Sequence, residues 1–424
     1  DVGTRGALEP ADPSLPEMAA ADAIAAAIDQ QAPPPHPSES IDARTQGVTD
    51  VAKFCATAAF QLARAKAKEI LTGDASDVRR FEAELGAQFG TCDARWSECI
   101  AEYLKQRTNS QPIPYRRHQN LGDFVIEGPL TSTARVALVG DWGTGDTTAK
   151  LLLRQIAQKK PDVVIHLGDV YYSGTPHEFQ NYFYGVWQNM FGLPAVKWGD
   201  KANGVSKPAT FTLSGNHDMY AGGQPYYSVI DMLGQPASYF CLRNADWQFI
   251  AMDTGLHDND PTNASVTFLE DSEAAWVKDK IQTANGRKTV LLSHHQLFTT
   301  FESIGSEGNR INQKLEAELQ DVLPQVTVWY WGHEHDFVVY PKFRNVLARC
   351  IGHGSVPVGF NQIGQPDAKV PFENFRLAVD TDGGLFQHGY AIMELNGPAA
   401  TVKHYAFDPV SQDEAVIFTE NFPA

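Results

Sequence analysis

Residues of types that bind metal ions follow five short apolar segments of this sequence. The segments lie within residues 135–143, 162–172, 211–218, 289–295 and 326–335, and the residues at their ends are Asp141, Asp169, Asn216, His294, and the pair His333 and His335. Each apolar run has the length and composition of a buried β-strand. Ligands of open α/β sheets bind at the carboxyl ends of the strands. We therefore expect these six side chains to meet at one edge of a sheet.

The combined donor set predicts a centre with two metal ions. Carboxylate oxygens, an amide oxygen and imidazole nitrogens suit Fe, Mn or Zn, and there are more of them than a single tetrahedral ion takes. Two ions bridged by a carboxylate would use them all, and this arrangement serves phosphoryl displacement. His217 directly follows Asn216, so its imidazole is expected near the ions, where it could protonate a leaving group. The next residue, Asp218, either orients that ring or caps the turn.

Strands and helices alternate from about residue 111 onward, which predicts an α/β catalytic domain over residues 111–424. Asp146 has the type and position of an N-cap for a helix over residues 147–159. Further helices are predicted over residues 273–283 and 312–323. The strands at 390–395 and 400–407 flank an Asn-Gly pair at 396–397, which is typical of a hairpin. Together these elements predict two packed sheets flanked by helices.

The N-terminal quarter of the chain differs in composition from the rest. Residues 1–45 are rich in Ala and Pro and are predicted to form an extended arm. Residues 46–110 show helical spacing, for example at Val51, Phe54, Cys55 and Ala58. We predict a helical accessory segment that covers apolar surface of the catalytic domain, and a ligand-binding role is the alternative.

Charge and hydropathy exclude several classes of partner. The formal net charge is −17 over 424 residues, so little basic surface is available and a nucleic-acid partner is not expected. No run reaches the roughly 18 apolar residues of a membrane span. The sequence begins at Asp1 without an initiating Met. This is compatible with a removed leader, and so with a secreted or periplasmic protein, or with trimming of an expressed chain.

The motifs at these strand ends resemble those of the purple acid phosphatases, a branch of the calcineurin-like metallophosphoesterases. They are DWG at 141–143, GDVYY at 168–172, GNHD at 215–218, the strand-ending His294 and GHEH at 332–335. Most calcineurin-like enzymes carry a histidine two residues after the first aspartate, where this sequence has Gly143. The second motif supplies Tyr172 instead, and this exchange separates the purple acid phosphatases from their relatives. The resemblance covers about residues 134–340.

The resemblance implies a fold and an activity. The fold would be a four-layer α/β/β/α sandwich of two mixed sheets. The activity would be that of a dimetal acid phosphatase, which hydrolyses small phosphate monoesters with a water activated by the metals. A phosphodiesterase or phosphotriesterase could use the same core, and a binding protein with a vestigial metal site is the alternative of another class. Residues 219–239 and 298–312 are long enough to overhang the metals and to set specificity.

The resemblance also implies a role for each site residue. Fe(III) would be held by Asp141, Asp169, Tyr172 and His335, and a divalent Fe, Zn or Mn ion by Asp169, Asn216, His294 and His333. Asp169 would bridge the two ions, while His217 and His295 would stay off the metals near the substrate. His294 is preferred as the ligand because it is the first residue after its strand, with His295 as the alternative. Tyr172 is preferred to Tyr171, because successive side chains of an extended segment point to opposite sides.

Overall fold

A computed structural model describes residues 111–424, except for residues 261–264, 306–307, 359–365, 376 and 382–384. The predicted arm of residues 1–45 and the predicted helical segment of residues 46–110 lie outside the described residues. Within the described part, strands and helices alternate as expected.

Eight strands form the larger sheet, which is mixed. They are β1 (Val125–Glu127), β5 (Phe240–Arg243), β6 (Trp247–Ala251), β7 (Lys288–Ser293), β8 (Val328–Trp331), β10 (Val346–Ile351), β9 (Phe337–Phe343) and β11 (Asn374–Phe375), in spatial order. The run from β6 through β7 and β8 to β10 is parallel, whereas β9 pairs antiparallel with β10. The carboxyl ends of β7 and β8 therefore lie side by side.

Six strands form the smaller sheet, which is also mixed. They are β14 (Glu414–Phe422), β13 (Ala399–Phe407), β12 (His388–Asn396), β2 (Arg135–Val139), β3 (Val163–His166) and β4 (Ala209–Thr212), in spatial order. The strands β2, β3 and β4 are parallel neighbours. The hairpin predicted from the Asn-Gly pair is present as β12 and β13, which pair antiparallel up to Asn396 and Ala399.

Helices cover the outer face of each sheet. They are α1 (Thr147–Gln158), α2 (Pro176–Glu178), α3 (Gly185–Phe191), α4 (His217–Tyr220), α5 (Gln224–Leu233), α6 (Asp271–Gln282) and α7 (Gln313–Leu319), with a π-helical segment at Phe179–Tyr184 and a 3₁₀ turn at Leu323–Gln325. In α1, α3 and α5, apolar side chains pack on the smaller sheet, and those of α6 and α7 pack on the larger sheet. The predicted α/β/β/α sandwich is thus confirmed. No helix among the described residues is both long and apolar enough to cross a membrane.

The strands that lead to the predicted site are buried on both faces. In β2, Val136 and Leu138 pack into the core between the sheets, while Ala137 and Val139 pack against the helices. In β7, Leu292 enters the same inter-sheet core. Burial on both faces explains why these segments read as continuous apolar runs rather than as alternating ones. It also fixes the strand ends, and with them the first polar residue after each strand.

The helix ends follow local sequence signals, with small differences from the prediction. The side chain of Asp146 accepts the backbone N–H of Ala149 at 2.8 Å and caps α1 as predicted. Asn312 caps α7 in the same way. The helix predicted over residues 312–323 ends earlier, at Leu319, and a 3₁₀ turn containing Pro324 follows. Proline disfavours helical conformation in the residue before it, which accounts for the shorter helix.

Candidate metal centre

The five strand ends meet at one edge of the sandwich. The smaller sheet supplies Asp141 after β2, Asp169 after β3 and Asn216 after β4, and the larger sheet supplies His294 after β7 and the pair His333 and His335 after β8. Donor atoms of Asp141, Asp169 and His294 all lie within 4.8 Å of one another. The carboxyl ends of both sheets therefore converge as the sequence predicted. The role of each side chain as a metal ligand remains a prediction.

Three donor atoms form a nearly equilateral triangle on one side of the cluster. The Nε2 atom of His294 lies 3.1 Å from Oδ1 of Asn216 and 3.2 Å from Nδ1 of His333. The remaining side, from His333 Nδ1 to Asn216 Oδ1, is 3.1 Å. Oδ2 of Asp169 lies 3.3 Å from His294 Nε2. Neighbouring ligands around one ion are separated by about 3.0–3.4 Å when metal–ligand bonds are about 2.1 Å, so this spacing fits a shared cation.

Hydrogen bonds outside the triangle fix two of its atoms, Oδ1 of Asn216 and Nε2 of His294, as acceptors. The amide nitrogen of Asn216 donates to the hydroxyl of Tyr220 at 2.6 Å, which turns Oδ1 toward the histidines. Nδ1 of His294 lies 3.0 Å from the carbonyl oxygen of Leu167. That nitrogen must carry the proton, so Nε2 of a neutral His294 presents a lone pair. Lone pairs of His294, Asn216 and Asp169 thus face one another, and a cation between them would relieve the repulsion.

The pKa of His294 also indicates that this position favours positive charge. Burial by itself would lower the pKa of His294, but the carboxylates of Asp169 and Asp141 outweigh it and raise this pKa to about 9. Burial likewise opposes the ionised form of Asp169, and His294 and His217 outweigh it and lower the pKa of this carboxyl. The site therefore keeps a carboxylate at Asp169 and favours a cation beside it. This is the environment that a metal ion requires.

A second donor triangle lies on the other side of the cluster. Oδ1 of Asp141 accepts a hydrogen bond from the hydroxyl of Tyr171 at 2.8 Å. That hydroxyl lies 3.1 Å from Nε2 of His335, and the same nitrogen lies 3.5 Å from Asp141 Oδ1. The other oxygen of Asp141 accepts the backbone N–H of His333 at 2.8 Å. A carboxylate, a phenol and an imidazole thus share one position, which suits a hard cation such as Fe(III).

The orientation of the two tyrosines differs from the extended geometry that the sequence analysis assumed. Tyr171, not Tyr172, directs its hydroxyl at Asp141 and His335. The prediction assumed that this segment is extended, but residues 171–173 form a turn, so side chains do not alternate as in a strand. The backbone of Tyr172 is used instead, with its N–H bonded to Glu178 and its carbonyl oxygen to His217. Burial and the charges of Asp141 and Asp169 raise the pKa of Tyr171 well above its usual value, so only a cation would make it a phenolate.

Residues 134–337 match the family model described as Calcineurin-like phosphoesterase. The matched range contains both donor triangles and all five strands that supply them. Residues 134–337 form a calcineurin-like phosphoesterase domain. The chain is accordingly a metal-dependent phosphoester hydrolase.

Several solved structures are similar to this chain at low sequence identity. One is GAP50, the anchor in the inner membrane complex of Plasmodium, with 15% identity, a TM-score of 0.46 and coverage of 68% of this chain and 88% of that one. Another is a dimetal phosphatase from Danio rerio, with 10% identity, a TM-score of 0.43 and coverage of 68% and 98%. A putative 5'-nucleotidase from Staphylococcus aureus has 12% identity, a TM-score of 0.34 and coverage of 68% and 54%. No curated protein sequence matches this chain.

His217 lies beside Asp169, next to the two donor triangles. Its backbone N–H donates to Oδ1 of Asp169 at 3.1 Å. Its Nδ1 atom lies 2.7 Å from the carbonyl oxygen of Tyr172, so Nδ1 carries a proton and Nε2 faces the cluster, 3.9 Å from Oδ2 of Asp169. Burial lowers the pKa of His217, and Asp169 works in the opposite direction. The ring is held within reach of the site, and its Nε2 atom makes no closer contact with Asp169.

Asp218 resolves the choice that the sequence left open, because it caps the turn and does not orient the His217 ring. Its carboxylate accepts backbone N–H groups of Gly215 at 2.7 Å, Asp169 at 3.0 Å and Val170 at 2.9 Å. These groups belong to the two loops that carry Asp169 and Asn216. One buried carboxylate therefore ties both ligand loops together, and the position of Asp218 within the GNHD motif was the available sequence signal.

Backbone geometry at the phosphoesterase site is unusual at three ligand positions. Asp141, Asp169 and His333 have φ values of 53°, 74° and 66°. This left-handed region is uncommon for residues other than glycine, although Asn, Asp and His enter it more readily. The backbone also comes close at Gly215, where a Cβ atom would lie 2.0 Å from Oδ1 of Asp169. Glycine is therefore required where the Asn216 loop passes the Asp169 carboxylate.

His295 lies next to the triangle but is hydrogen-bonded on both ring nitrogens. Its Nδ1 is 3.0 Å from the hydroxyl of Thr254, and its Nε2 is 3.0 Å from Oδ2 of Asp258. His294, by contrast, directs Nε2 at Asn216 and Asp169, which agrees with the preference for His294 as ligand. Asp258 was missed at the sequence level, because it precedes His295 by 37 positions in an irregular loop. No periodic pattern or motif points to such a contact.

Proposed function

We propose that the phosphoesterase domain is a purple acid phosphatase that hydrolyses small phosphate monoesters at a binuclear metal centre. The observation that carries this proposal is the pair of donor triangles with Asp169 between them. A single ion would leave one donor triangle without a cation. Two ions serve both, and their shared carboxylate is the arrangement used for phosphoryl displacement.

The chain's own residues divide between the two ions. Fe(III) is assigned to Asp141, Asp169, His335 and a phenolate, for which the contacts of Tyr171 with Asp141 and His335 support Tyr171 in the place predicted for Tyr172. The divalent ion, Fe, Zn or Mn, is assigned to Asp169 together with the triangle of Asn216, His294 and His333. Such ions neutralise phosphate oxygens and lower the pKa of a bound water.

His217 is assigned the proton transfer to the leaving group. Its Nδ1–H is held by the carbonyl oxygen of Tyr172, so Nε2 is the nitrogen assigned to exchange a proton with substrate. That nitrogen lies on the cluster side of the ring, 3.9 Å from Asp169. Burial lowers the pKa of His217, while the Asp169 carboxylate and a bound phosphate anion would both favour the imidazolium that carries a proton on Nε2. An alkoxide leaving group then takes the Nε2 proton.

Enclosure of the site favours monoesters over diesters. Tyr171, His217 and His295 are 2%, 5% and 5% exposed, and the partly exposed His333 and His335 form the open side. A monoester needs room for one organic group and offers three terminal oxygens to the metals. A diester needs room for two groups, which the buried side of the site does not provide. Nucleic acid is disfavoured further by the net charge of −17.

Two measurements on the purified protein test this proposal. Elemental analysis should give two metal ions per chain, including one iron. Turnover of aryl phosphate monoesters, diesters and triesters, compared side by side, should be highest on the monoester and in the acid range. Two metals with a preference for diesters would retain the dimetal hydrolase and overturn the phosphomonoesterase. A protein that binds no metal would overturn the binuclear centre itself.

A further inference from the structure

We propose that Asp258 is a positioning residue that keeps the imidazole of His295 away from the divalent ion, so that a coordination position stays open for substrate. This inference rests on the proposed binuclear centre. It identifies a residue that limits how many side chains bind the divalent ion. His294 and His295 are adjacent in sequence, and both are near enough to compete for the same ion. What separates them in this structure is their hydrogen bonding.

His295 is close enough to become a third histidine ligand. Ligand atoms of His294, His295 and His333 lie within 4.8 Å of one another. The ring centroid of His295 is 4.4 Å from that of His333 and 4.8 Å from that of His294. A rotation of the His295 side chain would therefore be enough to bring one of its nitrogens to the ion. Three histidines alone are a common donor set for zinc.

Two hydrogen bonds occupy both ring nitrogens of His295, so that neither is available to bind a metal ion. The hydroxyl oxygen of Thr254 accepts the backbone N–H of His295 at 3.0 Å, and the same hydroxyl lies 3.0 Å from Nδ1. The Thr254 hydroxyl is thereby aligned to donate its proton to Nδ1. Nε2 then carries the ring proton and donates it to Oδ2 of Asp258 at 3.0 Å. A neutral imidazole held in this way has no lone pair left for a cation.

Asp258 is itself held in place independently of His295. Its other carboxylate oxygen accepts a hydrogen bond from the hydroxyl of Ser265 at 3.1 Å, and its backbone N–H donates to the carbonyl oxygen of Gly255 at 3.1 Å. Gly255 is pressed against the loop that carries Asn216, because a Cβ atom there would lie 2.5 Å from the carbonyl oxygen of Gly215. The acceptor for His295 is therefore built from the same framework as the metal site.

The anchoring extends to the strand below this loop. Asp253, which follows β6 and is buried, accepts hydrogen bonds from the hydroxyl of Ser214 and from the backbone N–H of Leu256 at 3.0 Å. Ser214 lies two residues before Asn216. The loop with Asp258 and the loop with the metal ligand are thus joined at two points. A change at Asp258 should free His295 without displacing Asn216.

The positioning role predicts that removal of the Asp258 carboxylate changes metal affinity in the direction opposite to the usual one. Loss of an ordinary outer hydrogen-bond partner weakens metal binding by about 10–100-fold. Removal of Asp258 should instead tighten binding of the divalent ion, because a third imidazole joins it, and should slow turnover, because the substrate position is filled. Asp258→Asn keeps an oxygen that can accept from Nε2 and should behave like the natural protein.

The test uses the full-length protein with Co²⁺ as the probe in the divalent position. Natural protein, Asp258→Asn, Asp258→Ala and the double variant Asp258→Ala/His295→Ala are compared by the visible spectrum of the bound cobalt and by competition with a chelator. We expect an altered spectrum and at least about tenfold tighter cobalt binding for Asp258→Ala alone, with the natural spectrum restored in the double variant. The natural spectrum and affinity in Asp258→Ala, or weaker binding in it, would overturn the positioning role. Failure of the natural protein to bind cobalt would overturn the binuclear centre and the positioning role together, so the two failures are distinguishable.

Discussion

The Nε2 atom of His294 lies 3.2 Å from the Nδ1 atom of His333, although the residues are 39 positions apart in sequence. Their strands, β7 and β8, are parallel neighbours in the larger sheet. Oδ1 of Asn216, from the smaller sheet, lies 3.1 Å from both atoms. Two imidazoles and an amide oxygen at this spacing share one potential cation position. The predictions about the metal centre depend on this convergence.

Asp169 is expected to be the least replaceable residue of the centre. Its Oδ1 accepts the N–H of His217 and its Oδ2 faces His294, so it is the only side chain assigned to both ions. Asp169→Asn keeps the size and removes the charge, and should cost at least one ion per chain and abolish turnover. Elemental analysis and a phosphatase assay measure this, with Asp200→Asn at an exposed aspartate as the control. Two bound metals with near-normal turnover would contradict the bridging role.

One of two adjacent tyrosines should give the iron-loaded protein a pink to purple colour. Ferric phenolate absorbs visible light by charge transfer, and the hydroxyl of Tyr171 is the one bonded to Asp141 and placed near His335. Tyr171→Phe should therefore bleach the visible band, and Tyr172→Phe should retain it. Bleaching by Tyr172→Phe alone would restore the assignment made from the sequence motif. Colourless, active, iron-replete protein would exclude a phenolate ligand altogether.

His217→Ala should lower kcat by about 10²–10⁴-fold, because general acid catalysis contributes an effect of this size. The loss should be larger for alkyl phosphates than for nitrophenyl phosphate, since a good leaving group needs less protonation. The metal content should stay unchanged. His177→Ala, at an exposed histidine, is the matched control. Equal losses on both substrates would assign His217 to substrate binding instead.

Asp218→Ala should weaken metal binding by about 10–100-fold, although Asp218 is assigned to neither ion. The substitution leaves the N–H groups of Gly215, Asp169 and Val170 without their shared acceptor. The two ligand loops should then separate. Asp218→Asn keeps one carbonyl oxygen as an acceptor and should fall between the natural protein and the alanine variant. Competition with a chelator measures the affinities, and an unchanged affinity in Asp218→Ala would show that other contacts hold the loops.

His388 should make the fold less stable in acid. Burial lowers the pKa of His388 to about 4, below the value of about 6.5 for an unfolded histidine. As the pH falls from about 6.5 toward 4, the unfolded chain binds this proton and the folded chain does not. The free energy of unfolding should fall by about 1.4 kcal/mol per pH unit in that window because of this one group. Urea unfolding of the natural protein and of His388→Gln, at pH 7 and pH 5, should show a smaller pH dependence in the variant. His177→Gln is the control.

The strand ends could be predicted from sequence because burial on both faces leaves continuous apolar runs. Val136 to Val139 are all buried, so Asp141 stands out as the first acidic residue after them. The same signal found Asn216, His294 and the pair His333 and His335. The caps at Asp146 and Asn312 were readable for a local reason, since each bonds to backbone within three residues.

The features that sequence reasoning missed depend on turns and on distant contacts. The orientation of Tyr171 depends on a turn at residues 171–173, where the two-residue alternation of a strand no longer holds. The contact of Asp258 with His295 joins two loops with no regular period.

The division of the site between the two sheets couples chemistry to the packing of the whole sandwich. Asp141, Asp169 and Asn216 belong to one sheet, and His294 and His333 belong to the other. Apolar side chains of the inter-sheet core, such as Phe211 and Phe249, set the spacing of these two halves together with the buried ion pair of Arg349 and Glu420. A slide of one sheet by a fraction of an ångström would open both donor triangles, because each takes residues from both sheets, while leaving each sheet intact. Substitutions in the inter-sheet core should therefore lower metal affinity even where they lie far from any ligand. Bound metal should in turn stabilise the packing of the two sheets.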